Sequence, residues 1–226
     1  MRATVVLVPG AGGQAWYWHR LVPELERRDC AAVPVDLPAG DDAAGLEQYT
    51  QAVLDAIGPT PGRPLVVVGQ SMGGLTAPIV CTRTPVDLLV LLNAMVPRPG
   101  ESGGEWWAVT GQADARAAAA EQAGWPRDDD DAFFGDVPAE VVAAAMTQPF
   151  EQSGTPFAEP WPLERWPDVP TRVLAARDDR FFPLAFQRRV ADERLGLPVD
   201  EVPGGHLVAL SRPGELADRL VSYLPT

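Results

Sequence analysis

Two serines in this chain stand in the pattern Gly-x-Ser-x-Gly: Ser71, in Gly69-Gln70-Ser71-Met72-Gly73, and Ser102, in Gly100-Glu101-Ser102-Gly103-Gly104. A serine hydroxyl is a weak nucleophile until a base takes its proton, a carboxylate orients that base, and N–H donors stabilise the oxyanion that forms. The chain offers two histidines as bases, His19 and His206, and no lysine, since all 18 basic residues are arginine. Any mechanism that needs a lysine amine, such as a Schiff base, is therefore excluded. A hydroxyl nucleophile served by an imidazole is the chemistry these residue types offer.

The two serines differ in what must position them. Leu65 to Val68 reads as a strand and Leu75 to Thr82 continues as a helix, so Ser71 falls on a sharp strand-to-helix turn that its flanking glycines keep free of clashes. Ser102 follows Pro97-Arg98-Pro99, which cannot form a central strand. Gly-Glu-Ser-Gly-Gly is similar to the Gly-Asp-Ser-Gly-Gly of trypsin-like proteases, but such an enzyme needs an all-β chain with histidine and aspartate both ahead of the serine. Only His19 precedes Ser102, and it lies in the helical context Trp-Tyr-Trp-His-Arg-Leu. Ser102 is expected to be a loop residue and His19 a packing or rim residue.

Along the chain, short β-branched runs alternate with helical patterns. That alternation predicts an α/β fold, a mostly parallel six-stranded sheet flanked by helices. The expected strands are Thr4 to Val8, Ala31 to Val35, Leu65 to Val68, Leu88 to Leu92, Arg172 to Ala175 and Val199 to Val202. The expected helices are Tyr17 to Arg28, Leu46 to Ile57, Met72 to Thr82, Leu184 to Leu195 and Pro213 to Tyr223. A length of 226 residues fits one domain, 1–226. An insertion at about 95–166 breaks the rhythm with two further helical segments, Asp114 to Ala123 and Glu140 to Met146, the acidic run Asp128 to Asp131, and five of the seven tryptophans. Lying after a strand's carboxyl end, it is expected to form a small helical lid over the ligand edge of the sheet. The acidic run is expected to be a solvated face.

The net charge of −13 argues against nucleic acid, whose phosphates call for clustered cations. The apolar run Val5 to Val8 is too short for the core of a secretory signal, and no run reaches the ~20 apolar residues of a membrane span. A soluble, cytoplasmic protein is expected, with Cys30 and Cys81 as buried free thiols. Composition carries no signal for oligomeric state.

His206, in Pro203-Gly204-Gly205-His206-Leu207, follows the last expected strand and so shares the carboxyl edge with Ser71. On that edge the acid that orients it should follow Arg172 to Ala175, where Asp178 and Asp179 both qualify; Asp87 precedes its strand and faces the opposite edge. The oxyanion needs the N–H of the residue after the nucleophile, Met72, and a second from the loop after the first strand, Pro9-Gly10-Ala11-Gly12-Gly13. That loop lacks both the Gly-x-Gly-x-x-Gly spacing and the lysine of nucleotide-binding loops.

Taken in order, Val-Pro-Gly-Ala-Gly-Gly, Gly-Gln-Ser-Met-Gly-Gly, Arg-Asp-Asp-Arg-Phe-Phe-Pro and Gly-Gly-His make the chain resemble the α/β-hydrolase superfamily over essentially its whole length. Gly10-Ala11 through Trp16-Tyr17-Trp18 is similar to the small-lid group that includes plant methylesterases and hydroxynitrile lyases. The resemblance implies a triad of Ser71, Asp179 and His206, an oxyanion hole at Ala11 and Met72, and a lid between the sixth and seventh strands of the family's numbering. Asp179 is the choice because in related hydrolases the acid stands four residues before a proline, here Pro183. Three departures stand out. Pro9 replaces the family's usual histidine, Gln70 replaces the commoner histidine before the serine, and the chain opens directly on the strand before the oxyanion loop, without the family's two leading antiparallel strands. The implied activity is a serine esterase that needs no metal or organic cofactor and acts on a small, mostly apolar ester. A triad-bearing lyase, cyclase or cofactor-independent oxygenase, or a non-catalytic small-ligand receptor, would share the same parts.

Overall fold

Six short apolar strands, the central ones buried on both faces, build the sheet. In the computed structural model, which describes residues 2–59 and 61–224, the strands are β1 (Ala3–Val8), β2 (Cys30–Pro34), β3 (Leu65–Gln70), β4 (Leu88–Leu92), β5 (Thr171–Ala176) and β6 (Val199–Val202). They pair in the order β2-β1-β3-β4-β5-β6, and every pairing is parallel. Each of the six falls within two residues of its expected position. Parallel strands need crossovers, and these place helices on both faces. Val6, Val67 and Leu91 point to one face, where they pack with Tyr49, Val53, Leu75, Ile79, Phe186 and Val190. Val5, Val66 and Val90 point to the other, against Trp18, Leu21, Leu25, Leu216 and Leu220. A strand buried on both faces has no polar alternation, which is why these runs read as continuous Val and Leu.

A 3-10 turn at Ala15–Trp18 precedes helix α1 (Leu21–Glu26). A continuous helix from Tyr17 to Arg28 was expected, and Pro23 explains the break. Proline has no N–H and disfavours helical geometry before it, so it is tolerated only within a helix's first turn, and α1 starts two residues ahead of it. Next come α2 (Leu46–Ile57) and α3 (Gly73–Val80). The segment between β4 and β5 holds α4 (Gly103–Thr110), α5 (Gln112–Ala123), α6 (Asp129–Phe134), α7 (Ala139–Ala145) and the single turn α8 (Thr155–Ala158). The chain returns to the sheet through α9 (Leu184–Leu195), the short α10 (Val208–Ser211) and α11 (Pro213–Ser222).

Buried contacts hold the β4–β5 segment to the sheet. Trp106 and Trp161 are fully enclosed, their indole N–H groups donating to the carbonyls of Val96 (3.1 Å) and Leu75 (2.9 Å). The side chains of Arg194 and Glu101 form an enclosed ion pair at its base, and Arg194 also donates to the Val96 carbonyl at 2.6 Å. Buried charges persist only when paired and hydrogen-bonded in this way. Among the described residues, no helix is long and apolar enough to cross a membrane. Cys30 and Cys81 are buried and unpaired.

Candidate active site

Ser71 sits between the last residue of β3 and the start of α3 with φ of 51°, in the left-handed region that a non-glycine residue seldom adopts. The glycines around it are required by close approach. A Cβ on Gly69 would meet the Gly73 carbonyl oxygen at 2.7 Å, and one on Gly73 would meet the Pro9 carbonyl oxygen at 2.8 Å. The Ser71 N–H donates to the Leu92 carbonyl at 3.1 Å, and the Ser71 carbonyl accepts from Met95 at 2.9 Å and Gly74 at 3.0 Å. The turn therefore lifts the hydroxyl above the sheet's carboxyl edge while its backbone stays bonded to β4.

His206 reaches the same edge from the loop after β6. Its Nε2 lies 3.1 Å from Ser71 Oγ and its Nδ1 lies 2.8 Å from Asp179 Oδ2. With Nδ1 protonated toward the carboxylate, Nε2 is left to accept the serine proton. Asp179 is fully enclosed, and its other oxygen accepts the N–H groups of Phe181 and Phe182, both at 2.8 Å. These bonds hold the carboxylate in one orientation. Asp178 points the other way: it is exposed, and its Oδ2 accepts the Gly204 N–H at 3.2 Å. Phe133, Phe181 and Phe182 surround the imidazole with their rings between 5.0 and 5.4 Å from it.

Ala11 and Met72 line the same cavity as Ser71 and His206. Among the described residues neither backbone N–H is engaged by a carbonyl outside the regular elements. Its volume is about 520 Å³, within the ordinary range for small-molecule sites. Trp107, Phe133, Phe134 and Phe157 contribute to its wall, and no arginine does. Trp106, next to Trp107 in the chain, is not part of this wall and packs in the core. Burial pushes the Tyr17 phenol up, which keeps it a neutral part of the wall. Burial likewise pushes the Cys81 thiol up to about 12, so it supplies no competing thiolate.

His19 is exposed, its ring tilted against that of Trp16 with centroids 4.4 Å apart, and stands apart from Ser71. Ser102 is not a loop residue. It caps α4, its Oγ accepting the Glu105 N–H at 3.1 Å while the Glu105 carboxylate accepts the Ser102 N–H at 2.9 Å. Ser-x-x-Glu is the signature of such a reciprocal cap, and the similarity to a protease motif obscured it. Ser102→Ala is expected to cost about 1 kcal/mol of stability, the usual value of a helix cap, measurable by denaturant unfolding, with turnover unchanged.

Several residues around the site gave no warning of a role. Asn93, fully enclosed at φ 44°, ties three strand ends together: its Oδ1 accepts the Ala176 N–H at 2.7 Å and its Nδ2 donates to the His206 carbonyl at 3.0 Å. A polar residue closing the apolar run Leu88 to Leu92 was the available signal. Gln187 donates to Asp179 Oδ2 at 3.3 Å and to the Phe182 carbonyl at 2.7 Å. The acidic run is not simply a solvated face: Asp128 caps α6, Asp130 lines the cavity, and Asp131 accepts Arg180 at 2.6 Å beside Asp179. Asp136 accepts the Gly205 N–H at 2.8 Å next to His206. Thus the β4–β5 segment is bonded to the loops that carry both Asp179 and His206.

A parallel sheet whose carboxyl edge presents a serine on a strand-to-helix turn, with a histidine and an aspartate from later loops, defines an α/β-hydrolase architecture. The model of the alpha/beta hydrolase family matches residues 5–219. The chain belongs to that family. Among curated proteins it is similar to the probable esterase PIR7A of rice (Oryza sativa subsp. indica), 36% identical over 109 residues, which are 44% of this chain and 41% of that protein. The matched stretch thus spans less than half the length of that relative. Among solved structures, a pyrethroid hydrolase from Sphingobium faniae JZ-2 superposes with a TM-score of 0.77 at 24% identity, covering 98% of this chain and 96% of the other. Polyneuridine aldehyde esterase gives 0.77 at 21% identity, with 98% and 99% covered. At these identities the two structures speak for the fold.

Proposed function

We propose that the protein is a serine hydrolase that cleaves a carboxylic ester of a small, mostly apolar molecule, with Ser71, His206 and Asp179 as its triad. The observation that carries this reading is the unbroken chain of contacts from Ser71 Oγ through His206, 3.1 Å on one side and 2.8 Å on the other, to a fully enclosed carboxylate. Ser71 attacks the carbonyl carbon as His206 Nε2 takes its proton. The N–H groups of Met72 and Ala11 stabilise the oxyanion. The imidazolium then returns its proton to the leaving alcohol, and a water activated by the same histidine releases the acid from the acyl-enzyme. The chemistry uses only side chains and backbone, without metal or organic cofactor. Similarity to a rice protein named as a probable esterase supports the reaction type.

The cavity narrows the substrate. Its wall is largely apolar, and its one side-chain carboxylate, Asp130, has no arginine in the wall to balance it. A neutral ester gains apolar burial there, whereas a substrate bearing its own carboxylate would lose hydration without finding a cation. The β4–β5 segment, which supplies Phe133, Phe134 and Phe157, acts as the lid of a single hydrolase domain.

A fluorophosphonate probe tests the assignment directly. The expected result is one covalent adduct, located by mass spectrometry on Ser71 and abolished by unfolding. An adduct on Ser102, or no adduct on folded protein, sinks the reading. Parallel rates on p-nitrophenyl esters of increasing acyl length then gauge the cavity.

A further inference from the structure

Gln152 belongs to the β4–β5 segment, far in sequence from the loop that carries Ala11, yet it is bonded to that loop. Its Oε1 accepts the Gly12 N–H at 2.9 Å. The loop is a turn closed by the Gly13 N–H on the Gly10 carbonyl at 3.1 Å, and Gly12, third of its four residues, has φ of 84°. A left-handed third residue is the mark of a type II turn, which differs from type I by a flip of the central peptide, here Ala11–Gly12. The N–H of that central peptide is the one Gln152 accepts. An acceptor held there favours the form with this N–H turned toward Gln152 and ties the loop that carries Ala11 to the β4–β5 segment.

The amide of Gln152 is itself oriented. Its Nε2 donates to the Ser153 carbonyl at 2.8 Å and to the Tyr49 hydroxyl at 3.2 Å, which leaves Oε1 facing Gly12. Ser153 is buried and anchored, its N–H donating to the Ala39 carbonyl at 2.7 Å and its hydroxyl to Asp42 at 2.8 Å. On the loop side, Pro9 has neither an N–H nor a polar side chain with which to brace the turn from within. The brace comes from another part of the chain.

We infer that Gln152 is a positioning residue for the oxyanion hole: by accepting the Gly12 N–H it anchors the Gly10–Gly13 turn, and with it the Ala11 N–H, so the hole is complete only when the β4–β5 segment is seated. This rests on the hydrolase reading above, with Ala11 as an oxyanion donor. Because Gln152 acts through the turn, its loss should cost less than the roughly 10²–10³-fold of deleting a donor itself.

Gln152→Leu removes the acceptor at similar size. The expected result is a fall in kcat of about tenfold on both p-nitrophenyl acetate and p-nitrophenyl hexanoate, with KM within about twofold on each, together with a rise of at least about tenfold in hydrogen exchange at the Gly12 amide. A residue that merely packs the segment would move KM, or would affect the long ester alone. An unchanged kcat on the acetate ester, or unchanged exchange at Gly12, overturns the inference. Tyr49→Phe removes one of the two groups that orient the amide while leaving the acceptor, and should show the same pattern at about threefold. If Gln152→Leu does not fold, the absence of that pattern in Tyr49→Phe overturns it equally. If the unaltered protein hydrolyses neither ester, the hydrolase reading falls and takes this role with it; an active protein with an unimpaired Gln152→Leu variant overturns the positioning role alone.

Discussion

Replacing Ser71 by alanine is expected to lower turnover by several orders of magnitude, up to about a million-fold, the loss seen when a triad nucleophile is deleted from a serine hydrolase. The size of the effect follows from the route. Without Oγ no acyl-enzyme forms, and His206 has no proton to take from the chain. What survives is the N–H pair at Ala11 and Met72 acting on a carbonyl attacked by water, which accounts for a residual rate above the uncatalysed one. Alanine carries the same Cβ as serine, so the left-handed turn is neither eased nor worsened and thermal stability should move little. Measured kcat on a p-nitrophenyl ester, with a melting curve of each protein, checks both halves. Turnover within tenfold of the parent in a folded Ser71→Ala protein would remove Ser71 as the nucleophile.

The second large effect is expected at Asp179. Asparagine there should lower kcat by about 10⁴-fold, the cost of holding the base in the wrong tautomer. The local bonds dictate how the new amide must sit. The N–H groups of Phe181 and Phe182 both point at Oδ1, so the amide oxygen stays with them and the NH₂ group is turned toward His206. Nδ1 must then accept, the proton moves to Nε2, and the imidazole can no longer take the Ser71 proton. Gln187 Nε2, 3.3 Å from the native Oδ2, would face another donor and add to the misfit. Asp178→Asn changes a neighbour on the outer side of the same loop and should leave kcat within about twofold, since exposed polar substitutions seldom matter. Equal losses in the two variants would remove Asp179 from its role.

Much of this was legible because the relevant signals are local. Val-rich runs buried on both faces mark parallel strands wherever they occur, and a glycine pair around a serine between strand and helix marks the turn at Ser71. The order of Asp179 and His206 after their strands placed them on one edge, because every strand in a parallel sheet ends at the same side. Between Asp178 and Asp179, however, periodicity does not choose: the spacing to Pro183 shared with related hydrolases favoured Asp179, and in the structure backbone amides turn its carboxylate inward. The Pro23 break and the Ser102 cap were misread for a related reason. Each depends on where a helix starts, a matter of one or two residues that patterning does not resolve. Asp136 and Gln152 were invisible because each acts on a partner far away in the chain. Gln152 lies 140 residues from Gly12, and only folding brings such pairs together.

The left-handed backbone of Ser71 also bears on how this protein could change over generations. At φ of 51°, glycine is the residue that would sit there without a steric penalty. A serine is thus held in place there against the conformational preference of its own side chain. A lineage selected for heat tolerance alone would drift toward glycine at position 71 and toward a sturdier but inert protein, in the familiar opposition between stability and activity. On the proposed mechanism, serine at this position trades backbone ease for a reactive hydroxyl.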